Sequence, residues 1–221
     1  MKSTSTKVFL QNGRWNQRRK PYKATRKTFL IVCEGQKTEP EYFRAFPLET
    51  VQVEGIGFNT VSLVKEAIRL KKKRPERQEI WCVLDRDSFP AKDIKEALRL
   101  ADQNNIRIAF SNESFELWYL LHFVYLDTKL CRGDYIKKLK KHLRPLGIEY
   151  EKQGLYGPLK SFQQIAIKSA QRLLQNHTNR IDIKHQKFKD RYGSFDVVKA
   201  NPFTTVHDLV LTLLQEIEKK H

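Results

Sequence analysis

TFLIVCE, Thr28–Glu34, and EIWCVLD, Glu79–Asp85, are the two stretches of this 221-residue sequence that decide its fold. Each contains five consecutive apolar residues and ends in an acid. An uninterrupted apolar run of this length is typical of a strand covered on both faces, as strands of a parallel sheet are. A third strand is predicted at Ile106–Phe110, ahead of Glu113 and Glu116. The sequence therefore predicts buried strands that end in acids.

Helical patterns separate these strands. Helices are predicted at Thr38–Phe46, Thr60–Lys72 and Ala91–Asn104, with a short strand at Val51–Val53. Alternation of strand and helix predicts a parallel sheet with right-handed crossovers. Because parallel strands deliver their carboxyl ends to one edge, and ligands of open α/β sheets bind at that edge, the acids are candidates for a site.

From residue 113 onward the apolar spacing is helical. Helices are predicted at Ser114–Tyr125, Asp134–Leu143, Lys160–Leu174 and Val206–Ile217. The predicted fold class is α/β, a parallel sheet flanked by helices with a helical C-terminal extension. Its predicted segments are a flexible basic tail at 1–26, an α/β core at 27–113 and a helical half at 114–221 that packs on the core.

Two helix starts carry capping signals. Thr38 is the predicted N-cap of its helix, with Glu39 and Glu41 in the favourable first turn. Thr205 followed by Asp208 resembles a capping box in which Asp replaces Glu.

The chain is strongly basic, with a net charge of +17 and a pI near 9.8. Residues 1–27 hold nine Lys or Arg and no acid. The other basic runs are Lys65–Arg77, Lys137–Arg144 and Lys184–Arg191. Such a charge indicates an acidic partner, most often nucleic acid, although each run also fits a solvated face. Phe188 in the last run and Tyr192 directly after it would allow base stacking on a single strand, and a polar loop anchored by two core aromatics is the alternative explanation.

Cysteine use and hydropathy predict a cytoplasmic protein. The three cysteines include no CxxC pair, and Cys33 and Cys82 fall inside predicted buried strands, as expected in a reducing compartment. The apolar stretch Leu117–Leu126 is shorter than the roughly 20 residues that span a bilayer. No GxxxxGK[ST] loop is present, so we expect no ATP hydrolysis by this chain.

Glu34, Asp85 and Asp87 are the strongest candidates for a metal site. Asp85 and Asp87 are two residues apart, so in extended geometry their side chains leave the same face. If the two strands are neighbours, Glu34 joins them, and Mg²⁺ favours a few carboxylates together with water and phosphate oxygens. Glu34 could instead act as a general acid or base, with its pKa raised by acidic neighbours. Strand ends also carry acids merely as turn residues.

Four ordered motifs resemble those of the RloB family, over about residues 26–217. They are LIVCEGQKTE at Leu30–Glu39 followed by Tyr42 and Phe43, WCVLDRD at Trp81–Asp87, NESFELW at Asn112–Trp118 followed by LLHF at Leu120–Phe123, and NPFTTVH at Asn201–His207.

RloB proteins are similar to Toprim-type domains, the Mg²⁺-dependent fold of topoisomerases, bacterial primases and related nucleases. The resemblance implies a Toprim-like sheet in which Glu34 is the Toprim glutamate and Asp85 and Asp87 are the metal-binding pair. It also implies an association with restriction loci and abortive phage defence, where an ATPase partner of the ABC or AAA type is common.

The third motif departs from the family pattern. The family's Asn-Pro is replaced by Asn112-Glu113-Ser114, which adds a carboxylate. In helical geometry Glu113 and Glu116 would share a face. Glu113 is interpreted as a charge that suits the helix dipole, whereas Glu116 is interpreted as a support of the site, because an acid opening a buried helix needs a reason.

Three further residues have open interpretations. His122 lies in an apolar helix and is better interpreted as a packed histidine than as a catalytic base. His207 belongs to the last motif, but capping of the final helix explains its neighbours. Lys37 either contacts a phosphate or is solvated.

The sequence thus favours a Mg²⁺- or Mn²⁺-dependent nuclease that cuts RNA or DNA in phage defence, with Glu34, Asp85, Asp87 and Glu116 as site residues. One alternative is a non-catalytic nucleic-acid-binding module. The other is a regulatory subunit that mainly binds a protein partner.

Overall fold

The computed structural model describes residues 27–73, 78–151, 153–177 and 196–219. The predicted tail 1–26 and the basic run Lys184–Arg191 lie outside the described residues. The strands are β1 (Thr28–Cys33), β2 (Val51–Gly55), β3 (Gln78–Asp85), β4 (Arg107–Asn112) and β5 (Phe203–Thr204). The helices are α1 (Thr38–Arg44), α2 (Thr60–Lys73), α3 (Ala91–Gln103), α4 (Glu116–Leu121), α5 (Arg132–Leu143), α6 (Tyr156–Leu159), α7 (Gln163–His177) and α8 (Val206–Glu218).

The strands form one sheet in the order β2-β1-β3-β4-β5. The first four strands are mutually parallel, and β5 pairs with β4 in the antiparallel direction. Cys33 lies opposite Val83, and Asp85 lies opposite Ser111. The predicted α/β class, a mostly parallel sheet flanked by helices with a C-terminal helix, is therefore confirmed.

The two faces of the sheet carry separate cores, because successive strand residues point to opposite sides. Phe29, Ile31 and Cys33 pack on the side covered by α1, α4, α5, α7 and α8. Leu30 and Val32 pack on the other side, which α2 and α3 cover. Both faces of β1 are buried, which explains why its sequence is apolar without interruption.

Strand β5 was not predicted from the sequence. It is only two residues long and pairs with the end of β4, through Ser111–Thr204 and Asn112–Phe203. The segment after residue 114 therefore supplies the last strand of the sheet as well as five helices among the described residues.

Helix α4 is shorter than predicted. It runs from Glu116 to Leu121 instead of Ser114–Tyr125. At its start, the Phe115 N–H donates to the carboxylate of Asp85 at 3.0 Å, so the chain ahead of the helix is held by β3. At its end, Phe123 N–H bonds to Leu120 O at 3.0 Å, a tighter turn that closes the helix. All six residues of α4 are buried, as predicted.

The predicted cap at Thr38 is wrong, whereas Thr205 has the predicted N-cap position but makes no capping hydrogen bond. Lys37 occupies the N-cap position of α1, and its side chain makes no capping bond. Thr205 is at the N-cap of α8, but its hydroxyl accepts the Phe110 N–H at 2.9 Å, so it extends the sheet instead of capping the helix. Glu39 and Glu41 do lie in the first turn of α1, as predicted.

None of the helices in the described part of the chain combines the length and the apolar character that crossing a membrane requires.

Candidate acidic site at the sheet edge

A cavity of about 480 Å³ opens at the carboxyl edge of the sheet. Its acidic lining residues are Glu34, Glu39, Asp85, Asp87 and Glu116. The rest of the lining consists of Gly35, Gln36, Lys37, Thr38, Gly57, Phe58, Asn59, Phe89 and Arg132. The four acids predicted as site residues therefore meet in one cavity, together with a fifth acid that was not predicted.

Strand pairing brings the predicted acids together. Because β1 lies beside β3, with the Glu34 N–H bonded to Val83 O at 3.0 Å, Glu34 emerges next to the end of β3. Asp85 is the last residue of β3. Asp87 lies in the following turn with a φ of 36°, so the expected extended geometry does not hold for it. Glu116 opens α4, directly beyond β4.

Arg132 is the central residue of the site and was not predicted. Its guanidinium contacts three carboxylates: Nη2 lies 3.1 Å from Asp85 Oδ2, Nη1 lies 2.9 Å from Asp87 Oδ1, and Nε lies 3.2 Å from Glu116 Oε2. Five N–H donors in a rigid plane make arginine suited to such sharing. The sequence offers 42 Lys and Arg, and no motif distinguishes this one.

Glu39 is the other acid that the sequence pattern failed to identify. It was predicted as a favourable charge in the first turn of α1, yet its side chain is buried against the cavity. A Cβ atom at Gly35 would lie 2.1 Å from Glu39 Oε2, so any larger residue there would displace the Glu39 carboxyl group. Its place in the motif Leu30–Glu39, five residues after Glu34, was the one available signal.

Burial raises the pKa of Glu34 to about 8. The charges of Asp87 and Glu39 contribute to this rise, and a hydrogen bond from the backbone at Asp85 opposes it. Since the raised value lies near neutral pH, Glu34 can hold or release a proton there. This agrees with the expectation that acidic neighbours would raise its pKa.

Asp85 and Glu116 respond in opposite directions to similar burial. Burial and the charge of Glu39 raise the pKa of Asp85 well above its usual value, although Arg132 opposes them. Burial also acts to raise the pKa of Glu116, but Arg132, Ser114 and Tyr150 outweigh it, and the pKa is lowered. The Tyr150 hydroxyl donates to Glu116 Oε1 at 2.9 Å. Glu116 is thus fixed as an anion.

Two buried carboxylate oxygens, Glu34 Oε2 and Asp85 Oδ1, have no hydrogen-bond partner among the described residues. Leaving such an oxygen unsatisfied costs about 1–3 kcal/mol. Oxygen donors of this kind suit Mg²⁺ or Mn²⁺. Yet within residues 27–73, 78–151, 153–177 and 196–219 no three His, Cys, Asp or Glu side chains converge on one ion position. Arg132 instead lies among the acids.

Of the other residues considered from the sequence, Lys37 lies at the cavity and the rest lie outside its lining. Lys37 lines the cavity, whereas Glu113 precedes α4 and does not share a helix face with Glu116. His122 is buried, its Nδ1 bonds to Trp118 O at 2.9 Å, and burial lowers its pKa to about 4. His207 is buried at the start of α8 beside Asp208. Neither histidine lines the cavity.

Comparison with known proteins adds one relationship. No curated protein and no solved structure matches the chain. The family model described as RloB-like protein matches residues 29–213, which span every strand and nearly every helix described above. The chain therefore belongs to the family of RloB-like proteins.

Proposed function

We propose that this protein is a Toprim-type nuclease that cuts RNA or DNA with the help of Mg²⁺ or Mn²⁺. The observation that carries the proposal is the meeting of Glu34, Asp85, Asp87 and Glu116 in one cavity of a protein whose net charge is +17. A basic protein attracts a polyanion to its surface. Acids gathered in a cavity of such a protein favour a cation that also binds phosphate.

Glu34, Asp85 and Asp87 would hold the ion, because they supply oxygen donors and include two buried oxygens without a partner. When bound, such an ion polarises a phosphodiester and offsets the negative charge of the attacking and leaving oxygens. Arg132 now neutralises two of these acids, so its contacts must loosen for the ion to enter.

The protein's own groups have distinct roles in this proposal. Where Asp85 and Asp87 hold the ion without it, Glu34 can instead act as the general acid, since its pKa of about 8 lets it carry a proton near neutral pH and pass it to the leaving oxygen of the substrate. Glu116 is fixed by Tyr150 and Arg132 and keeps the guanidinium at the cavity. Arg132, once freed from Asp85 and Asp87, provides a positive charge that can bind a phosphate in bidentate fashion.

Cleavage assays on single-residue variants test the proposal. Asp85→Asn, Asp87→Asn and Glu34→Gln should each reduce Mg²⁺-dependent cleavage of RNA or DNA by about 100-fold or more, in the range of lost acid–base or charge stabilisation. Glu113→Gln is the matched control, since Glu113 lies outside the cavity, and it should leave cleavage unchanged. Cleavage that survives in all three site variants would contradict the assignment.

A second candidate, a non-catalytic nucleic-acid-binding module, has one observation in its favour. Arg132 already pairs with Asp85, Asp87 and Glu116, so the acids can serve to order the sheet edge without an ion. Binding of nucleic acid without any metal-dependent cleavage by the wild type would select this candidate.

We further propose that the protein acts in the cytoplasm as an effector of phage defence, gated by a separate ATPase. The family and the two buried thiols, Cys33 and Cys82, support this setting. Strong cleavage by the purified chain alone, at physiological salt, would refute the gating and leave the nuclease proposal standing.

A further inference from the structure

Phe58 is an exposed aromatic residue on the rim of the acidic cavity. It is 47% exposed and lines the cavity, and it belongs to neither of the two cores. The other large apolar side chains exposed to a similar degree in the described chain are Leu146 and Ile165, and neither lines this cavity. Single exposed apolar residues are common, so the position of Phe58 has to be weighed with its neighbours.

The loop that carries Phe58 is hydrogen-bonded to the end of β1. Ile56 N–H bonds to Cys33 O at 3.2 Å, and Gly57 N–H bonds to Glu34 O at 3.1 Å. Gly57 has a φ of +66°, a backbone conformation that favours glycine, and a Cβ atom there would lie 2.6 Å from Gln36 Nε2. A ring presented on a fixed backbone loses little entropy when a ligand packs on it.

The strand order sets the position of Phe58 relative to the acids. Phe58 follows β2, Glu34 follows β1 and Asp85 ends β3, in the spatial order β2-β1-β3. Neighbouring strands are about 4.8 Å apart, so the end of β2, which leads to Phe58, is one to two strand spacings from the ends of β1 and β3, which lead to the acids. Phe89, which follows β3, lines the same cavity but packs partly against the core.

The chemistry of this rim suits a nucleobase better than a phosphate. Five acidic side chains line the cavity beside the ring, and each of them that is ionised repels an anion placed there. A neutral base gains contact with the ring face at no such cost, while Lys37 and Arg132 provide the positive charges for its phosphate. Base faces are accessible in a single strand and are covered by their neighbours in a duplex.

We propose that Phe58 is a base-stacking subsite and that the substrate class of this cavity is single-stranded nucleic acid, bound with an unpaired base on the Phe58 ring. The inference rests on the proposed function in that it names the substrate of the same cavity. Stacking on an aromatic ring is tolerant of base identity, so the subsite gives strand selectivity without a sequence motif.

Binding measurements by fluorescence anisotropy test the subsite. The probes are a labelled single-stranded oligonucleotide of mixed sequence as RNA and as DNA, the same strands with abasic sites, and the matching duplex. Phe58→Ala should weaken binding of the single strand by roughly 5- to 100-fold, the usual effect of losing one stacked base. Phe58→Trp should retain the affinity, and Leu146→Ala, which truncates an equally exposed apolar residue away from the cavity, should not change it.

The abasic strand separates stacking from a loss of loop structure. The wild type should bind it as weakly as Phe58→Ala binds the complete strand, and Phe58→Ala should show no further loss. The subsite would be overturned if Phe58→Ala weakened binding of the complete and the abasic strand equally, or left binding unchanged. It would also be overturned if the wild type preferred the duplex or did not bind the single strand.

Cleavage of the same probes, followed in parallel with Mg²⁺, distinguishes this inference from the nuclease proposal. Binding that depends on Phe58 without any cleavage would remove the nuclease assignment and leave the subsite. If the wild type cleaves the probes, and Phe58→Ala cleaves them equally fast and with equally little preference for the single strand, the subsite is wrong and the nuclease assignment stands.

Discussion

Arg132 contacts three of the five acidic side chains that line the cavity. The side chains of Asp85 and Glu116 are 5% and 3% exposed, and ionising two carboxyl groups buried so deeply carries a large desolvation cost unless a cation is paired with them. The guanidinium bonds to both and to Asp87. The pair energies are reduced by solvent on the outer side of Arg132, which is 41% exposed. Arg132 therefore provides positive charge to three of the five acids in the cavity.

Replacing Arg132 with Met should destabilise the protein by about 2–4 kcal/mol, somewhat below the usual cost of breaking a fully buried ion pair. Part of the loss should return on addition of Mg²⁺, because an ion that binds the freed acids of the folded state raises its stability. Urea denaturation with and without Mg²⁺ measures both effects.

The matched control is Arg99→Met, which breaks an exposed pair with Glu96 at 2.7 Å on α3. It should destabilise the protein far less than Arg132→Met does, because solvent screens an exposed pair, and it should respond to Mg²⁺ as the wild type does. Equal losses in the two variants, or an Arg132→Met variant that Mg²⁺ leaves unchanged, would show that Arg132 does not stand in for a cation at the acids.

The location of a single site residue could be predicted from the sequence where that residue directly follows a strand. Glu34 and Asp85 follow apolar runs, so the sheet edge was their expected location. Arg132 comes from a different part of the chain and reaches the acids only through the packing of α5, which no local pattern encodes. Glu39 was expected to be a favourable charge in the first turn of α1, so its burial was not predicted.

Strand β5 and helix α8 form a single unit through Thr205. The Thr205 N–H bonds to Phe110 O at 2.8 Å, and the Thr205 hydroxyl accepts the Phe110 N–H at 2.9 Å, both in the buried interior. The side chain thus continues the ladder between β4 and β5 after the last strand residue. The last helix is anchored to the sheet next to the strand that leads into the site.

Thr205→Val should therefore destabilise the fold by about 1–3 kcal/mol, because it leaves the buried Phe110 N–H without an acceptor. Thr212→Val is the control on the same helix, where the hydroxyl donates to Asp208 O at 2.7 Å. That carbonyl lies in the helix and is not left without a donor, so the cost should be below about 1 kcal/mol. Chemical denaturation of both variants gives the comparison, and an equal cost would argue against the anchoring role of Thr205.

Helices and strands whose apolar residues repeat regularly could be predicted from the sequence. Features that depend on contacts with distant parts of the chain could not. β1 was predicted to the residue, and α2 and α3 to within one residue. β5 has two residues and exists because β4 offers a free edge, so its sequence alone carries too little pattern. The Thr205 cap failed because the hydroxyl found a buried backbone partner in the sheet.

At the scale of the whole molecule, the two sides of the sheet differ in their relation to the cavity. Helix α5 begins at Arg132 in the cavity and continues with exposed Lys137, Lys138, Lys140 and Lys141. At 1.5 Å per residue these lysines lie about 7–14 Å along the helix from the acids. Helices α2 and α3 cover the opposite side of the sheet.

Replacing these four lysines with Gln should flatten the salt dependence of nucleic-acid binding. Each lost phosphate contact reduces the slope of log K against log salt by about 0.7–0.9, so a change of about 3 is expected. The charge-matched control changes Lys65, Lys92, Lys95 and Arg99, which are exposed on α2 and α3. If the control variant flattened the slope as much as the α5 variant, the total positive charge of the protein would govern binding, and the α5 lysines would have no special role.

Diffraction from crystals grown with Mn²⁺ tests the central proposal most directly, because the anomalous signal locates the ion without reference to activity. We predict one peak in the cavity within about 2–2.5 Å of carboxylate oxygens of Glu34, Asp85 and Asp87, with the Arg132 guanidinium withdrawn from the two aspartates. The peak should disappear in Asp85→Asn crystals. An intact set of Arg132 contacts with no peak among these acids, at saturating Mn²⁺, would contradict a metal-dependent site.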